Sequence, residues 1–207
     1  MPSANNAFIK LTDPKILDLE GFTFPVGWWS RGREYAWAVE QNLLGGVVAD
    51  MGFGFTYRPF HDALCRHAGL VYGVDIKPPQ WSEVEHPLPP NFEVIVADFT
   101  KEFAGIPAHS LDRIFCLSVL EDTNNPKGAL QVFKKLLAPD GKIVLTFDVP
   151  YDKTKPTPKY PGVDWEQFMA DVDDVGLKFV GDVDADMSGL LHNDEWNLCV
   201  WKCLLEA

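Results

Sequence analysis

The fold of this chain is decided by the stretch Leu44-Gly-Gly-Val-Val-Ala-Asp-Met-Gly-Phe-Gly-Phe-Thr-Tyr57. A short apolar run at residues 47–49 ends in Asp50 and passes directly into a loop that contains Gly52 and Gly54. Such a run predicts a buried strand, and the glycines allow the backbone of the loop to come close to another group. An apolar helical pattern follows the loop. The stretch therefore predicts a strand, a glycine loop and a helix.

Two residues restrict the class of ligand that such a unit could bind. The third glycine of a dinucleotide-binding G-x-G-x-x-G loop is missing, because Tyr57 stands in its place. Asp50 precedes the first glycine by two positions, and its carboxylate would repel a diphosphate and attract an amino group. The alternative is a tight glycine turn that binds no ligand.

The pattern D-x-G-x-G after a strand resembles the first motif of the class I, Rossmann-like S-adenosylmethionine-dependent methyltransferases. This resemblance implies an α/β fold: a three-layer sandwich with a mostly parallel seven-stranded sheet and a C-terminal antiparallel hairpin strand. It also implies S-adenosyl-L-methionine as the cofactor. Asp50, Gly52, Phe53 and Gly54 would surround the amino acid part of that cofactor.

Carboxylates end the next two predicted strands. Asp75 closes residues 70–76 and is placed to accept hydrogen bonds from ribose hydroxyls, with Ile76 against one face of adenine. The alternative for Asp75 is a helix cap or a turn residue in solvent. Asp98 closes residues 92–97, and with Phe99 it resembles the family's third motif, in which the carboxylate accepts from the adenine amino group and the next side chain packs on the ring.

A fourth strand is predicted at residues 111–118, and Leu117 and Ser118 would border the methionine end of the cofactor. Residues 118–122 read Ser-Val-Leu-Glu-Asp and resemble the "SVLEH" segment of small-molecule methyltransferases, with Asp122 where histidine is frequent. Asp122 and Asp148 are the carboxylates nearest the strand ends, so each is either a catalytic base or only a helix cap.

Three further elements are predicted towards the C-terminus. Asn125 and Pro126 predict the start of a helix, and a turn at residues 139–141 leads to a fifth strand whose text resembles the "LKPGGxLVLT" segment of the same family. Asp164 and Gln167 predict a capping box. The last strands are expected at residues 178–183 and 198–204.

The chain before the glycine loop predicts an N-terminal arm and cap helix at residues 1–43, with the methyltransferase domain at 44–207. Residues 1–7 are polar and are expected to be mobile. Ser30 predicts an N-cap for a helix. In the methyltransferases that the chain resembles, such a helix often closes over the cofactor, which implies that Arg33 or Tyr35 could reach the methionine carboxylate. In the alternative reading the helix packs on the sheet edge and leaves Arg33 in solvent.

Composition excludes several classes of partner. The 207 residues suit one domain, and the formal net charge of −12 would repel a phosphate backbone, which disfavours nucleic acid. No apolar run reaches the length that crosses a bilayer, and the start lacks a leader pattern, so a soluble, cytoplasmic protein without membrane contact is expected. Four scattered cysteines predict reduced thiols and no metal site.

The acceptor is the least defined part of the prediction. Residues 151–164 contain Lys153, Lys155 and Lys159 among prolines. Either these lysines keep the loop solvated, or they guide an anionic small molecule to the pocket between Tyr151 and Tyr160. The sequence thus predicts methyl transfer to an O or N atom of a small-molecule acceptor. The alternatives are a non-catalytic methyltransferase-like binding protein and a nicotinamide-dependent oxidoreductase.

Overall fold

The computed structural model describes residues 5–54, 58–78, 87–157 and 162–207. Within these ranges the helices are α1 (Arg31–Glu40), α2 (Arg58–Cys65), α3 (Pro126–Leu136) and α4 (Trp165–Val175). The strands are β1 (Asn6–Phe8), β2 (Asp18–Leu19), β3 (Phe22–Thr23), β4 (Val47–Met51), β5 (Leu70–Asp75), β6 (Phe92–Val96), β7 (Leu111–Leu117), β8 (Leu137–Pro150), β9 (Lys178–Phe179), β10 (Val183–Asp184), β11 (His192–Asn193) and β12 (Leu198–Glu206).

The main sheet has the order β10-β1-β12-β8-β7-β4-β5-β6, and β9 and β11 also pair with β12. Strands β4 to β8 are parallel to their neighbours in this group, whereas β12 is antiparallel to β8. The chain proceeds outwards from β4 through β5 to β6 and then returns to β7 beside β4. This reversal of strand order is the position at which open α/β sheets bind ligands.

Helices cover both faces of the sheet. Helices α3 and α4 pack against one set of strand residues, which includes Met51, Ile114 and Phe147. Helices α1 and α2 pack against the alternate set, which includes Val48 and Phe115. Because successive side chains of a strand point to opposite faces, this division produces three layers. The predicted three-layer α/β sandwich with a C-terminal antiparallel strand is confirmed.

The predicted number of seven strands is wrong, since ten strands join the main sheet in the described residues. The strand expected at residues 178–183 is split into β9 and β10 around Gly181, which has φ +89°. Short β11 forms a hairpin with β12. The tenth strand is β1, at the start of the chain.

The expectation that residues 1–7 are mobile is wrong for the part that the structure describes. Asn6 is 0% exposed, and β1 lies between β12 and β10. The Asn6 side-chain nitrogen donates to the carbonyl oxygen of Val180 at 3.0 Å, and its oxygen accepts from the backbone N–H of Leu204 at 2.9 Å. A polar residue is buried here because its amide satisfies backbone groups of two other segments.

Two predicted helix starts are confirmed. The Asn125 side chain accepts from the backbone N–H of Gly128 at 3.0 Å, and Pro126 opens α3. Asp164 accepts from the backbone N–H of Gln167 at 3.1 Å at the start of α4. The Gln167 side chain donates to Asp171 instead of returning to Asp164, so the capping box is only half formed.

The predicted turn at residues 139–141 lies within β8, which begins directly after α3. Leu111 pairs with Leu137 and Arg113 pairs with Lys142, so the extra residues of β8 form an irregularity in the register. Tyr57 and the pair Lys159 and Tyr160 lie outside the described residues.

Candidate active site

The glycine loop after β4 has the backbone conformation that the sequence predicts. Gly52 and Gly54 have φ +74° and +72°, in the left-handed region that favours glycine. A Cβ atom on Gly52 would lie 2.3 Å from Cγ1 of Val119. The backbone N–H of Gly52 donates to the carbonyl oxygen of Val74 at 2.7 Å. The loop therefore packs closely against the ends of β5 and β7.

A cleft of about 560 Å³ opens beside this loop, at the carboxyl ends of the parallel strands. Most of the residues predicted to bind the cofactor line it. They are Tyr35, Gly52, Phe53, Gly54, Asp75, Ile76, Asp98, Phe99 and Leu117.

Asp75 lines the cleft and also fixes its wall. One carboxylate oxygen accepts from the backbone N–H of Gly54 at 3.0 Å, and the other accepts from the backbone N–H of Lys77 at 3.1 Å. Asp75 is thus held by two backbone groups and still faces the cleft. Each carboxylate oxygen can accept a further hydrogen bond, so ribose hydroxyls remain suitable donors.

Asp98 follows β6, the strand next to β5, and is held by two neighbouring side chains. Its carboxylate lies 2.8 Å from Lys101 Nζ and accepts from Oγ1 of Thr100 at 2.6 Å. The hydrogen bond from Lys101, followed by those from Thr100, lowers the pKa of Asp98 to about 2. The neighbouring Phe99 is buried against Phe133 of α3, with ring centroids 5.7 Å apart.

The structure does not bring Asp50 to the cleft. The sequence placed this carboxylate at the cofactor's amino group, but Asp50 is 4% exposed and does not line the cavity. Its carboxylate lies 2.7 Å from Nδ1 of His61 in α2. Pairing with a buried imidazole directs the carboxylate towards the helix.

The arginine that the sequence favoured on α1 is also displaced from the cleft. The Arg33 guanidinium donates to the carbonyl oxygen of Leu11 at 2.7 Å, and Arg33 does not line the cavity. Arg31 lines it instead, together with Tyr35 one helical turn later. Residues four apart share a helix face, whereas residues two apart do not. This spacing could have identified Arg31 from the sequence once Tyr35 was chosen.

Glu34 anchors α1 to the sheet. It is 0% exposed, and one of its oxygens lies 3.2 Å from Nη1 of Arg31 and accepts from Oγ of Ser118 at 2.6 Å. The Thr146 hydroxyl donates to the same oxygen. Ser118 has φ +47°, a conformation that strains a residue with a side chain. This polar contact fixes Arg31 at the end of β7, beside Thr146 of β8.

A second cavity of about 260 Å³ adjoins the cleft, because Arg31 and Asp122 line both. Both predicted catalytic candidates, Asp122 and Asp148, line this second cavity. Ser118 lines it too, rather than the first cleft. Glu121, which the sequence analysis passed over, is a further lining carboxylate.

The carboxylates of the second cavity have raised pKa values. Burial, followed by the charge of Glu34, raises the pKa of Asp148 to about 7, although Arg31 opposes this change. Burial and the charge of Asp148 raise the pKa of Glu121 well above its usual value. Burial also raises the pKa of Asp122. Perturbed groups of this kind gather at functional sites.

The described lysines of the proline loop contact neither cavity. Lys153 pairs with Glu166, and Lys155 lies 3.0 Å from Asp152. Both lysines line a separate hollow of about 360 Å³ beside Trp165. Carboxylate partners therefore neutralise these two lysines, and the predicted anion guide has no support from them.

Other chemistry is limited in the described ranges. There, no group of three His, Cys, Asp or Glu side chains is arranged to hold a metal ion. No helix among the described residues has the length and apolar character to cross a membrane. All four cysteines are free, and burial raises the pKa of Cys199 to about 12.

Comparison with known proteins agrees with this geometry. Residues 49–145 match the family model described as a methyltransferase domain. A SAM-dependent methyltransferase from Aquifex aeolicus is similar in structure, with a TM-score of 0.60 and 16% identity over 82% of this chain and 88% of that one. A TehB-like SAM-dependent methyltransferase from Corynebacterium glutamicum has a TM-score of 0.61 and 16% identity, covering 84% and 86%.

A third solved structure with this fold is that of a cyclase. The [4+2]-cyclase SpnF has a TM-score of 0.68 and 12% identity, with 95% of this chain and 88% of that one covered. Comparison with curated protein sequences gives no match. The family match, the sheet order and the cleft together identify residues 49–145 as a methyltransferase domain of the class I, Rossmann-like fold, whose cofactor is S-adenosyl-L-methionine.

Proposed function

We propose that this protein catalyses transfer of the methyl group of S-adenosylmethionine to an O or N atom of a small-molecule acceptor. One observation carries the proposal: the 560 Å³ cleft and the 260 Å³ cavity meet at Arg31 and Asp122. Two adjoining spaces of this size suit a cofactor and a smaller second reactant. The acidic cavity is the acceptor site in this proposal.

The residues of the cleft fit the cofactor. Gly52 and Gly54 line the cleft, and a Cβ on Gly54 would meet no atom closer than 3.8 Å, so this backbone is open to the amino acid part of the cofactor. Asp75 is a ready acceptor for ribose hydroxyls, and Asp98 with Phe99 suits adenine. These roles follow from placement and residue chemistry.

Arg31 suits the cofactor's carboxylate better than Arg33 does. Its guanidinium is already oriented by Glu34 and by the carbonyl oxygen of Leu117, at 3.2 Å from Nη1 in each case. A guanidinium has five N–H donors, so further donors remain for a ligand carboxylate. Tyr35 lines the cleft beside it.

When bound, S-adenosylmethionine supplies an electrophilic methyl group attached to a positively charged sulfur. The protein's main contribution is to hold the acceptor atom against that methyl group, and such positioning can lower a barrier by about 7–11 kcal/mol. Asp148 or Asp122 then accepts the proton that the acceptor loses. A base with a pKa of about 7, as for Asp148, is suited to that task near neutral pH.

The test is turnover with methyl-labelled cofactor and a metabolite extract as the source of acceptor. We expect acceptor-dependent formation of S-adenosylhomocysteine and one labelled small molecule, which mass spectrometry identifies. An Asp148→Asn variant should form less product while it still binds S-adenosylhomocysteine. Cofactor binding without any labelled product from broad extracts would contradict the proposal.

A non-catalytic or differently catalytic protein is the second candidate. It is favoured by the similarity to SpnF, a [4+2]-cyclase. A protein of this kind would bind the cofactor in the same cleft and leave its methyl group in place. Turnover separates the two candidates, because only the methyltransferase converts S-adenosylmethionine to S-adenosylhomocysteine.

A further inference from the structure

The cavity proposed for the acceptor has an unusual excess of acidic groups. Glu121, Asp122 and Asp148 line it, and among the residues that the structure describes Arg31 is the one cation in its lining. That guanidinium is already engaged by Glu34 and by the carbonyl oxygens of Leu117 and Ser118. The lining therefore carries carboxylates whose charge Arg31 does not balance.

Several oxygens of this acidic group are buried without a hydrogen-bond partner. They are Oε2 of Glu121, Oδ1 of Asp148 and, behind them, Oε1 of Glu34, whose side chain is 0% exposed. A buried carboxylate oxygen without a donor is costly, and native structures rarely contain one without a functional reason. A ligand that brings hydrogen-bond donors and positive charge would satisfy the oxygens of Glu121 and Asp148, the two of these residues that line the cavity.

Aromatic side chains supply the rest of the cavity wall. Trp28, Trp29 and Trp196 line it beside the carboxylates. Indole faces attract cations, and tryptophan is the most effective aromatic residue in this role. Carboxylates and indoles in one small cavity are a poor match for an anion and a good match for an ammonium group.

We propose that the acceptor is a small amine, recognised in its ammonium form by Glu121, Asp148 and the tryptophans of the 260 Å³ cavity. This inference rests on the proposed function and assigns the acceptor's chemical class. It replaces the anionic acceptor considered from the lysine loop, whose described lysines are paired elsewhere.

The proposed reaction balances without a further reactant. The ammonium first gives a proton to the Asp148 carboxylate or to water. The freed nitrogen lone pair then forms the bond to the methyl carbon while the carbon–sulfur bond breaks and leaves its electron pair on sulfur. A secondary or tertiary ammonium results, which remains complementary to the acidic cavity.

Without a bound ammonium, protons on Asp148 and Glu121 reduce the negative charge of the cavity. The groups that face Asp148 are Glu34 and Arg31 from α1, Asp122 and Glu121 from the turn after β7, and Cys199 from β12. The acidic neighbours and burial raise the pKa values of Asp148 and Glu121, so these groups hold protons readily. An ammonium that displaces such protons will release them to the buffer.

Calorimetry on the protein saturated with S-adenosylhomocysteine tests this inference directly. The probes are phenethylamine, 2-phenylethanol and phenylacetate, which share a ring and a two-carbon substituent and differ in charge. We expect phenethylamine to bind at least about ten-fold more tightly than the other two. Measurements in buffers of different ionisation enthalpy should show proton release for the amine alone.

Variants identify the groups responsible. Asp148→Asn and Glu121→Gln should each weaken phenethylamine binding by about ten-fold and reduce the proton release, while S-adenosylhomocysteine binding stays unchanged. Asp122→Asn, at an exposed position, serves the same purpose if a buried substitution prevents folding. Asp173→Asn is the matched control, since this exposed carboxylate lies outside both cavities.

The outcomes separate this inference from the proposed function. Equal or tighter binding of the alcohol or the acid, or no amine binding at millimolar concentration, would overturn the inference. Labelled methyl transfer to a hydroxyl acceptor would also overturn it and leave methyl transfer standing. Selective amine binding without turnover of any acceptor would leave an ammonium site standing and would count against both the amine as acceptor and the proposed activity.

Discussion

Asp75 both faces the cofactor cleft and holds the glycine loop, because its two oxygens accept from the backbone N–H groups of Gly54 and Lys77. We expect Asp75→Ala to weaken S-adenosylhomocysteine binding by about 1.5–3 kcal/mol, the usual contribution of hydrogen bonds to a charged group. Isothermal calorimetry measures the change, with circular dichroism to verify folding. Asp173→Ala is the control. An unchanged dissociation constant in folded Asp75→Ala would show that Asp75 is only a turn residue.

Asp148 should make stability depend on pH in an identifiable window. Its pKa is raised from 3.8 to about 7 in the folded protein by burial and then by Glu34. The folded state therefore keeps a proton that the unfolded chain loses between these values, so stability falls as the pH rises through this window. A variant without the Asp148 carboxyl group should not lose stability over this pH window.

Asp148→Asn is thus expected to be more stable than the wild type above neutral pH, by about 1–3 kcal/mol, and to lose this advantage near pH 4. Urea unfolding across the pH range measures the difference. Asp173→Asn should show no such pH-dependent gain. A constant difference between Asp148→Asn and wild type at every pH would contradict the raised pKa.

Single residues were predicted best where the backbone determines their position. Asp75 and Asp98 follow strands and reach the cleft as expected, because parallel strands present their carboxyl ends at one edge. Asp50 does not reach the cleft, because its carboxylate pairs with His61 of α2. Only tertiary packing brings this partner near. Arg31 was not predicted to reach the cleft, although it lies four residues before Tyr35 and therefore shares a helix face with it.

The glycine loop is the element on which the cleft's shape depends. Gly52 has φ +74°, and a Cβ there would overlap Val119, whereas a Cβ on Gly54 meets nothing closer than 3.8 Å. Valine is stiff at χ1, so it cannot easily move aside. Gly52→Ala should therefore lower the free energy of unfolding by more than Gly54→Ala, which adds only the left-handed strain of about 1–2 kcal/mol.

A double-mutant cycle tests the stated cause. Val119→Ala should recover about 0.5–3 kcal/mol of the loss in Gly52→Ala and recover nothing in Gly54→Ala. Urea unfolding gives all the values. Additive effects for Gly52→Ala and Val119→Ala would show that the overlap with Val119 is not the cause.

Elements with local signals were predicted well, and elements that depend on distant partners were not. Helices α3 and α4 begin at their predicted caps because Asn125 and Asp164 bond to backbone within their own first turns. The sixth predicted strand, at residues 178–183, was split at Gly181, and β1 was missed. The pairing of β1 with β12 joins residues almost 200 positions apart, which no local pattern reveals.

At the scale of the whole molecule, β1 joins the edge strand β10 to β12 and so to the rest of the sheet. Asn6 contacts the segment around Val180 and the backbone of Leu204 at once. Asn6→Ala should lower the free energy of unfolding by about 1–3 kcal/mol, because buried backbone groups lose their partners. Asn5→Ala is the control. Equal stability of both variants would show that the contacts of Asn6 in β1 do not stabilise the fold.

The roles assigned to these residues all require that the cleft beside the glycine loop is the S-adenosylmethionine site. Calorimetric titration of the wild-type protein with S-adenosylhomocysteine and, separately, with NAD measures this most directly. We predict saturable binding of one S-adenosylhomocysteine per chain and no detectable binding of NAD, since Asp75 and the glycine loop offer no complement to a diphosphate. Tighter binding of NAD than of S-adenosylhomocysteine would contradict the account.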